Sequence, residues 1–205
     1  VAACRTCTIE NNVLVWETDT EAIGIRHHLA PTSPTYVGTA LTVRNNSIYF
    51  FHTSDTSRGV VVNDQGTNHT VVSNLVYFGA GSIAHACFDT NLSTGAFSAW
   101  NNNLCFGAPW TGGSATRAAF NTATGFDANA IGANPQLAAT PTLANNFSMA
   151  LASGSPAINA GSTTLSSTRD RLSVLRSSPD IGAFEWTSGS GDKLSPASVP
   201  TVFAE

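Results

Sequence analysis

Charge is what this chain has least of. Charged residues make up 11% of its 205 positions, against about 25% in an ordinary soluble domain, and Lys193 is the only lysine. A net charge of −4 with a pI near 5.6 leaves no basic patch of the kind a nucleic-acid partner needs. No run of about 18 or more apolar residues occurs, so no transmembrane helix is expected. The opening residues, VAACRTCTIE, lack a charged region followed by an apolar stretch, so they do not read as a signal peptide, although a mature chain has often lost one. In place of charge the chain uses Asn, Thr, Ser, Gly and Ala. These residues favour turns and extended chain over helix. With 42% hydrophobic residues the composition is that of a globular, turn-rich β protein.

Cysteine is scarce as well: Cys4, Cys7, Cys87 and Cys105 are the whole set. The spacing of Cys4 and Cys7 is shared by zinc knuckles, redox motifs and haem attachment sites. Haem attachment needs a His where Thr8 stands, zinc needs a second ligand pair, and a redox motif needs a βαβ context. The pair is therefore read as a local disulfide or as two ordinary thiols. Cys105 is expected to behave as a small buried hydrophobe.

What is abundant is a phrase: NNVLVW from Asn11, NNSIYFF from Asn45, SNLVYFG from Ser73 and NNNLCFG from Asn101. The anchors Asn12, Asn46, Asn74 and Asn103 follow one another at steps of 34, 28 and 29 residues. Each period holds three short extended segments separated by Gly, Asn, Asp or Ser turns. Three strands per period, without a helical stripe, point to an all-β parallel β-helix built from three-strand coils of roughly 28–34 residues.

The columns of this repeat assign its faces. Leu14, Ile48, Val76 and Cys105 form one column, and Trp16, Phe50, Phe78 and Gly107 another, two residues on. Alternation puts both on the face of the anchor asparagines, which is read as the inside. Inward asparagines at successive turns bond the coils above and below, so Asn12, Asn46, Asn74 and Asn103 are assigned structural roles. The outward column is Val15, Tyr49, Tyr77 and Phe106. Its aromatics, Tyr49, Tyr77 and Phe106, are either a sugar-binding platform or a surface packed under a neighbouring loop or subunit. Glu17, Asp19 and Glu21 alternate and share a face if extended; that trio is the candidate Ca²⁺ site, the alternative being no cofactor at all. Arg26, His27 and His28 look like a cluster, but adjacent strand residues point to opposite faces.

Beyond Gly107 the period loosens into loops with short strands. The segment NPQL…NNFSMALASGSPAINAG…PDIGAFEW, from Asn134 to Trp186, resembles the C-terminal end of bacterial right-handed parallel β-helix repeat proteins of the pectate-lyase-like superfamily. The chain departs from that pattern where Asn159 stands for a usual Asp, Ser173 for a common Gly, and two serines separate Arg176 from Pro179. The resemblance implies a right-handed β-helix over residues 1–133, a last coil with a C-terminal capping segment over 134–186, and a polar tail over 187–205. A cap at the end of a stack needs turn glycines and charge pairs, and Asp170, Arg176, Asp180 and Glu185 are assigned that structural role. The resemblance also implies an extracellular or cell-surface location. Activities in the superfamily divide between polysaccharide lyases or glycoside hydrolases and non-enzymatic surface proteins. The low-charge wall favours the second: adhesion, display or structural assembly, with no catalytic residue assigned. The carbohydrate-active enzyme is the alternative. Because the chain starts directly in β-type sequence, it is read either as the C-terminal part of a longer protein or as a chain whose open N-terminal coil is covered by a protein partner or by self-assembly. A polysaccharide is the other candidate partner.

Overall fold

The computed structural model describes residues 6–16, 23–27, 40–51, 57–63, 66–79, 86–111, 116–145 and 147–188. Within them the chain is mostly β strands in parallel sheets, with one α-helix and two short 3-10 turns. The strands are β1 (Thr6–Glu10), β2 (Val13–Trp16), β3 (Ile23–His27), β4 (Ala40–Arg44), β5 (Ser47–Phe50), β6 (Arg58–Val62), β7 (His69–Val72), β8 (Leu75–Phe78), β9 (Ala86–Asp89), β10 (Phe97–Asn101) and β11 (Leu104–Phe106). Every third strand joins the same sheet. The sheets run β1-β4-β7-β10, β2-β5-β8-β11 and β3-β6-β9, and every pairing within them is parallel. One coil, in this sense, is the run of chain that gives one strand to each sheet.

The register aligns the repeated phrases residue for residue. Leu14 pairs with Ile48, Ile48 with Val76 and Val76 with Cys105. Trp16, Phe50 and Phe78 form the next inward column, and the rings of Phe50 and Phe78 stack with centroids 4.5 Å apart. Gly107 does not extend that column, because β11 stops at Phe106. Gly107 instead turns the chain at φ 82°, where a Cβ would sit 2.0 Å from the Phe78 carbonyl oxygen. The inner faces of the three sheets enclose one core that includes Val43, Val71, Phe50, Phe78, Val60 and Phe88.

Two further features close this core. Gly24, Gly59 and Cys87 share a column of the third sheet. The glycines let that sheet approach Ile48 and Val76 so closely that a Cβ on either would come within 2.8 Å of those side chains. One coil on, the column holds Cys87, which is disulfide-bonded to Cys105 with Cα atoms 5.7 Å apart. Cys105 is thus half of a cross-sheet disulfide rather than a simple buried thiol. Cys7 is also disulfide-bonded; Cys4 lies outside the described residues.

After β11 the chain forms α1 (Arg117–Thr124), where the sequence suggested loops with short strands. Thr116 caps it by accepting the Ala119 N–H through Oγ1, and Gly125 ends it at φ 73°, a start and stop that suit a short helix. Phe120 from this helix and Phe126 beyond it pack on Trp100 of β10. This unit covers the end of the stack at the fourth coil.

The segment 134–186 does something other than cap that end. It lies lengthwise along the outer face of the second sheet, bonded to all four coils. The Asn11 amide donates to the Arg169 carbonyl (2.8 Å), Asn45 Oδ1 accepts from Ser167 N–H (2.8 Å), Ser73 Oγ accepts from Ser162 N–H (2.9 Å), and the Asn102 amide donates to the Ala160 carbonyl (3.0 Å). The reason is apolar. The outer face of that sheet carries Val13, Val15, Tyr49, Leu75, Tyr77, Leu104 and Phe106, and Met149, Leu151, Ala157, Ile181 and Phe184 cover it. A parallel sheet apolar on both faces needs such a cover. The segment is a strap.

Candidate functional site

Each coil contributes the same turn between its first and second strands. The first residue of the turn is Asn11, Asn45, Ser73 or Asn102, and all four sit at positive φ, 50–57°. Asparagine tolerates this left-handed conformation better than most side chains. The turn sends that first side chain outward to the strap and the next one, the anchor asparagine, inward.

The anchors form a directional ladder. Asn12 donates its backbone N–H (3.1 Å) and side-chain amide (3.0 Å) to Oδ1 of Asn46. Asn46 does the same to Asn74, at 3.2 and 3.0 Å, and Asn74 to Asn103, at 3.0 and 3.1 Å. Each inner anchor also donates its amide to a carbonyl of the coil before it: Asn46 to Ile9, Asn74 to Val43 and Asn103 to Val71. Asn46, Asn74 and Asn103 are fully buried, at 0% exposure, and these bonds offset the cost of burying their amides.

The two ends of the ladder differ. At the fourth coil Asn103 donates its N–H (3.3 Å) and amide (3.0 Å) to Oδ1 of Asp127. Asp127 is itself at positive φ, 55°, and fully buried. Burial pushes its carboxyl up to about 7, against the opposing pull of hydrogen bonds from Asn103 and the indoles of Trp110 and Trp100. The indole contacts fall short of full hydrogen-bond geometry, so Asp127 Oδ2 and both indole nitrogens have no close partner. At the first coil Asn12 is exposed. It uses its donors on Asn46 and the Glu10 carbonyl, and among the described residues nothing donates to its Oδ1.

Burial follows the same direction. Cys7, Ile9 and Leu14 of the first coil are half-buried, whereas Leu41, Val43 and Ile48, their register partners in the second, are buried. Trp16 is 37% exposed, whereas its partner Phe50 is 2% exposed.

The outer aromatic column is not a platform. Tyr49 is 5% exposed, and Tyr77 and Phe106 are half-buried. Tyr49 packs edge-on to Tyr77, and Tyr77 to Phe106, beneath the strap. Burial and the neighbouring Tyr77 raise the Tyr49 phenol above its usual range. A crevice of about 230 Å³ remains beside the two tyrosines, lined by Asn134, Gln136, Leu137 and Thr140. Glu17, Asp19 and Glu21 lie outside the described residues.

The four polar residues of the closing motif meet inside the strap. Arg176 Nη1 donates to Glu185 Oε2 at 2.8 Å, and Nη2 donates to the Gly182 carbonyl at 2.8 Å. The same Glu185 oxygen accepts the Asp180 N–H (3.0 Å). Asp180 accepts the N–H of Asn159 (2.7 Å) and that of Trp186. Asp170 accepts the N–H groups of Leu172, Val174 and Glu185 at 2.8–2.9 Å. Burial raises the carboxyls of Asp180 and Glu185 and lowers the Arg176 guanidinium, while their mutual attraction opposes this. Every carboxylate in the group is occupied by backbone donors or the guanidinium, an arrangement that fixes a loop rather than presenting an acid or base to solvent.

An open groove of about 550 Å³ runs between the fourth coil and the strap. Ser98, Asn101, Asn129, Ser162 and Thr164 line it with Phe126, so its wall is neutral and polar. Neither Asp127 nor the strap-binding residues Asn11, Asn45, Ser73 and Asn102 were assigned roles from sequence. A signal existed for the second group, since each anchor is preceded by Asn or Ser. For Asp127 it was faint, because the ladder step shortens there to 24 residues.

Among the described residues no helix is long and apolar enough to cross a membrane. Comparison with protein-family models, curated proteins and solved structures found no match to this chain.

Proposed function

We propose that the three sheets are the walls of a right-handed parallel β-helix, and that this chain is a non-enzymatic extracellular or cell-surface subunit serving structural assembly, adhesion or display. The observation that carries the reading is the closing motif: Asp170, Asp180 and Glu185 are each held by backbone N–H groups or by the Arg176 guanidinium, so none of them is presented to solvent as an acid or base. The strap supports the same reading, because it turns the one aromatic outer column into core.

The runner-up is a carbohydrate-active enzyme, a polysaccharide lyase or glycoside hydrolase. The neutral groove between the fourth coil and the strap favours it, since hydroxyl and amide groups beside an aromatic ring suit a sugar. Ca²⁺ would belong to that alternative. Assay of the purified protein on a panel of uronates and neutral glycans separates the two. The assembly reading expects no turnover together with concentration-dependent association in sedimentation, or capture of a protein partner. Turnover of any glycan contradicts it.

A further inference from the structure

We propose that His69 is an acid-sensitive latch: with one proton on its ring it holds the second coil to the third, and a second proton releases that contact. The latch stands apart from either reading of function. His69 begins β7 in an inward column, opposite Phe97 of β10 and one residue before the Thr42–Thr70 pair that sets β4 against β7. It is fully buried, at 0% exposure. Its Nδ1 accepts the backbone N–H of Leu41 at 3.2 Å, so a side chain supplies one of the bonds that join the two strands. A ring nitrogen that accepts carries no proton, and the proton of the neutral ring therefore stands on Nε2. Among the described residues that buried Nε2 has no hydrogen-bond partner.

A second proton has only Nδ1 to go to. There it sets one donor against another, and the Leu41 N–H loses its acceptor. The cation would also lie in the core beside a second titratable ring. His27 of β3 stands with its ring centroid 5.4 Å away, its Nδ1 3.4 Å from the Asn63 carbonyl. Among the described residues the other faces around His69 bring no anion to offset the charge. Leu41 from β4 and Phe97 from β10 are apolar, and Cys7, next along the column on β1, is held in a disulfide. The charged side chains of these and the adjoining strands are engaged elsewhere: Glu10 with Arg44 at 2.6 Å and Arg58 with Asp89 at 3.0 Å, while Arg26 is exposed. Burial first, and His27 second, accordingly hold the His69 ring below its usual value of 6.5. The contact therefore keeps its full strength above about pH 6.5, the value of the released ring, and weakens as the pH falls below it. Asp127 at the sealed end works in the opposite direction, so the latch is read locally rather than from global unfolding.

The test follows amide-exchange protection of the Leu41 N–H between pH 8 and pH 5. The Leu75 N–H, which donates to the Asn46 carbonyl at 2.8 Å, is the reference. Protection at Leu41 relative to Leu75 is expected to be constant above about pH 7 and to fall about tenfold per pH unit below about 6.5. His69→Asn keeps an acceptor near the Nδ1 position and cannot take a proton, so its ratio should not change with pH. A pH-independent ratio in the unaltered protein overturns the proposal, as does an unchanged slope in His69→Asn. Should that variant not fold, the ring ¹⁵N shifts of the unaltered protein decide. A bare Nδ1 at pH 8, whose protonation moves the Leu41 amide, supports the latch, and an Nδ1–H tautomer removes it.

Discussion

Asn74 shows most plainly how one side chain holds two coils. Its Oδ1 takes two N–H groups from Asn46, and its amide donates to the Val43 and Val72 carbonyls and to Asn103. Replacement by alanine leaves buried donors of Asn46 without an acceptor, at about 1–3 kcal/mol for each unsatisfied group. Asn74→Ala is therefore expected to lose about 3 kcal/mol or more in urea unfolding, whereas Asn12→Ala, at the exposed rung, costs clearly less. At the sealed end, Asp127 makes stability depend on pH. Its folded carboxyl titrates near 7 against a reference of 3.8, so the folded state holds a proton that the unfolded chain has released between those values. That contribution is fully present below about pH 4 and is lost as the pH rises through 7, amounting to about 4 kcal/mol. Stability measured at pH 5 should exceed that at pH 8, and Asp127→Asn should flatten the difference. An unchanged slope in the variant would place the titration elsewhere.

At the scale of elements, the strap and the stack depend on one another. Sequence made the strands legible, because the anchor spacing and the aliphatic columns repeat; β2, β5, β8 and β11 begin where the phrases NVLVW, NSIYF, NLVYF and NLCF place them. The path of the strap was not legible. Its attachment points, Asn11, Asn45, Ser73 and Asn102, look like ordinary turn residues until their positive φ turns them outward in a column. The Cys87–Cys105 disulfide was hidden for a related reason: it needs the packing of the third sheet on the second, which no single phrase reveals. Asn159 and Ser173, two of the three departures from the expected closing pattern, both adopt positive φ, 56° and 69°. The unusual residues therefore stand at turns with left-handed backbone. Arg176 is the strap's internal pin, its side chain at 0% exposure against Glu185. Removing one member of a buried pair leaves the other uncompensated, at about 3–5 kcal/mol. Arg176→Ala should therefore raise amide exchange across residues 159–186 well before it does so in β7 and β8. Uniform loss of protection would mean that strap and stack unfold as one unit.

For the whole molecule, the central claim is polarity: among the described residues the stack is sealed at the fourth coil and least buried at the first. The asparagine ladder carries it in hydrogen-bond direction, the gradient of burial carries it in packing, and α1 carries it in the chain path. Local opening should follow the same order, because protection tracks buried apolar contact and shielded backbone bonds. The most direct measurement is native-state amide exchange at the backbone N–H groups of Asn12, Asn46 and Asn74, each of which donates to the Oδ1 of the next anchor. These three bonds share one geometry, so differences among them report position in the stack. Asn12 is expected to exchange fastest, on the order of a hundredfold faster than Asn74, with Asn46 between them. Equal protection at all three positions, or fastest exchange at Asn74, would contradict a stack whose burial deepens from its first coil.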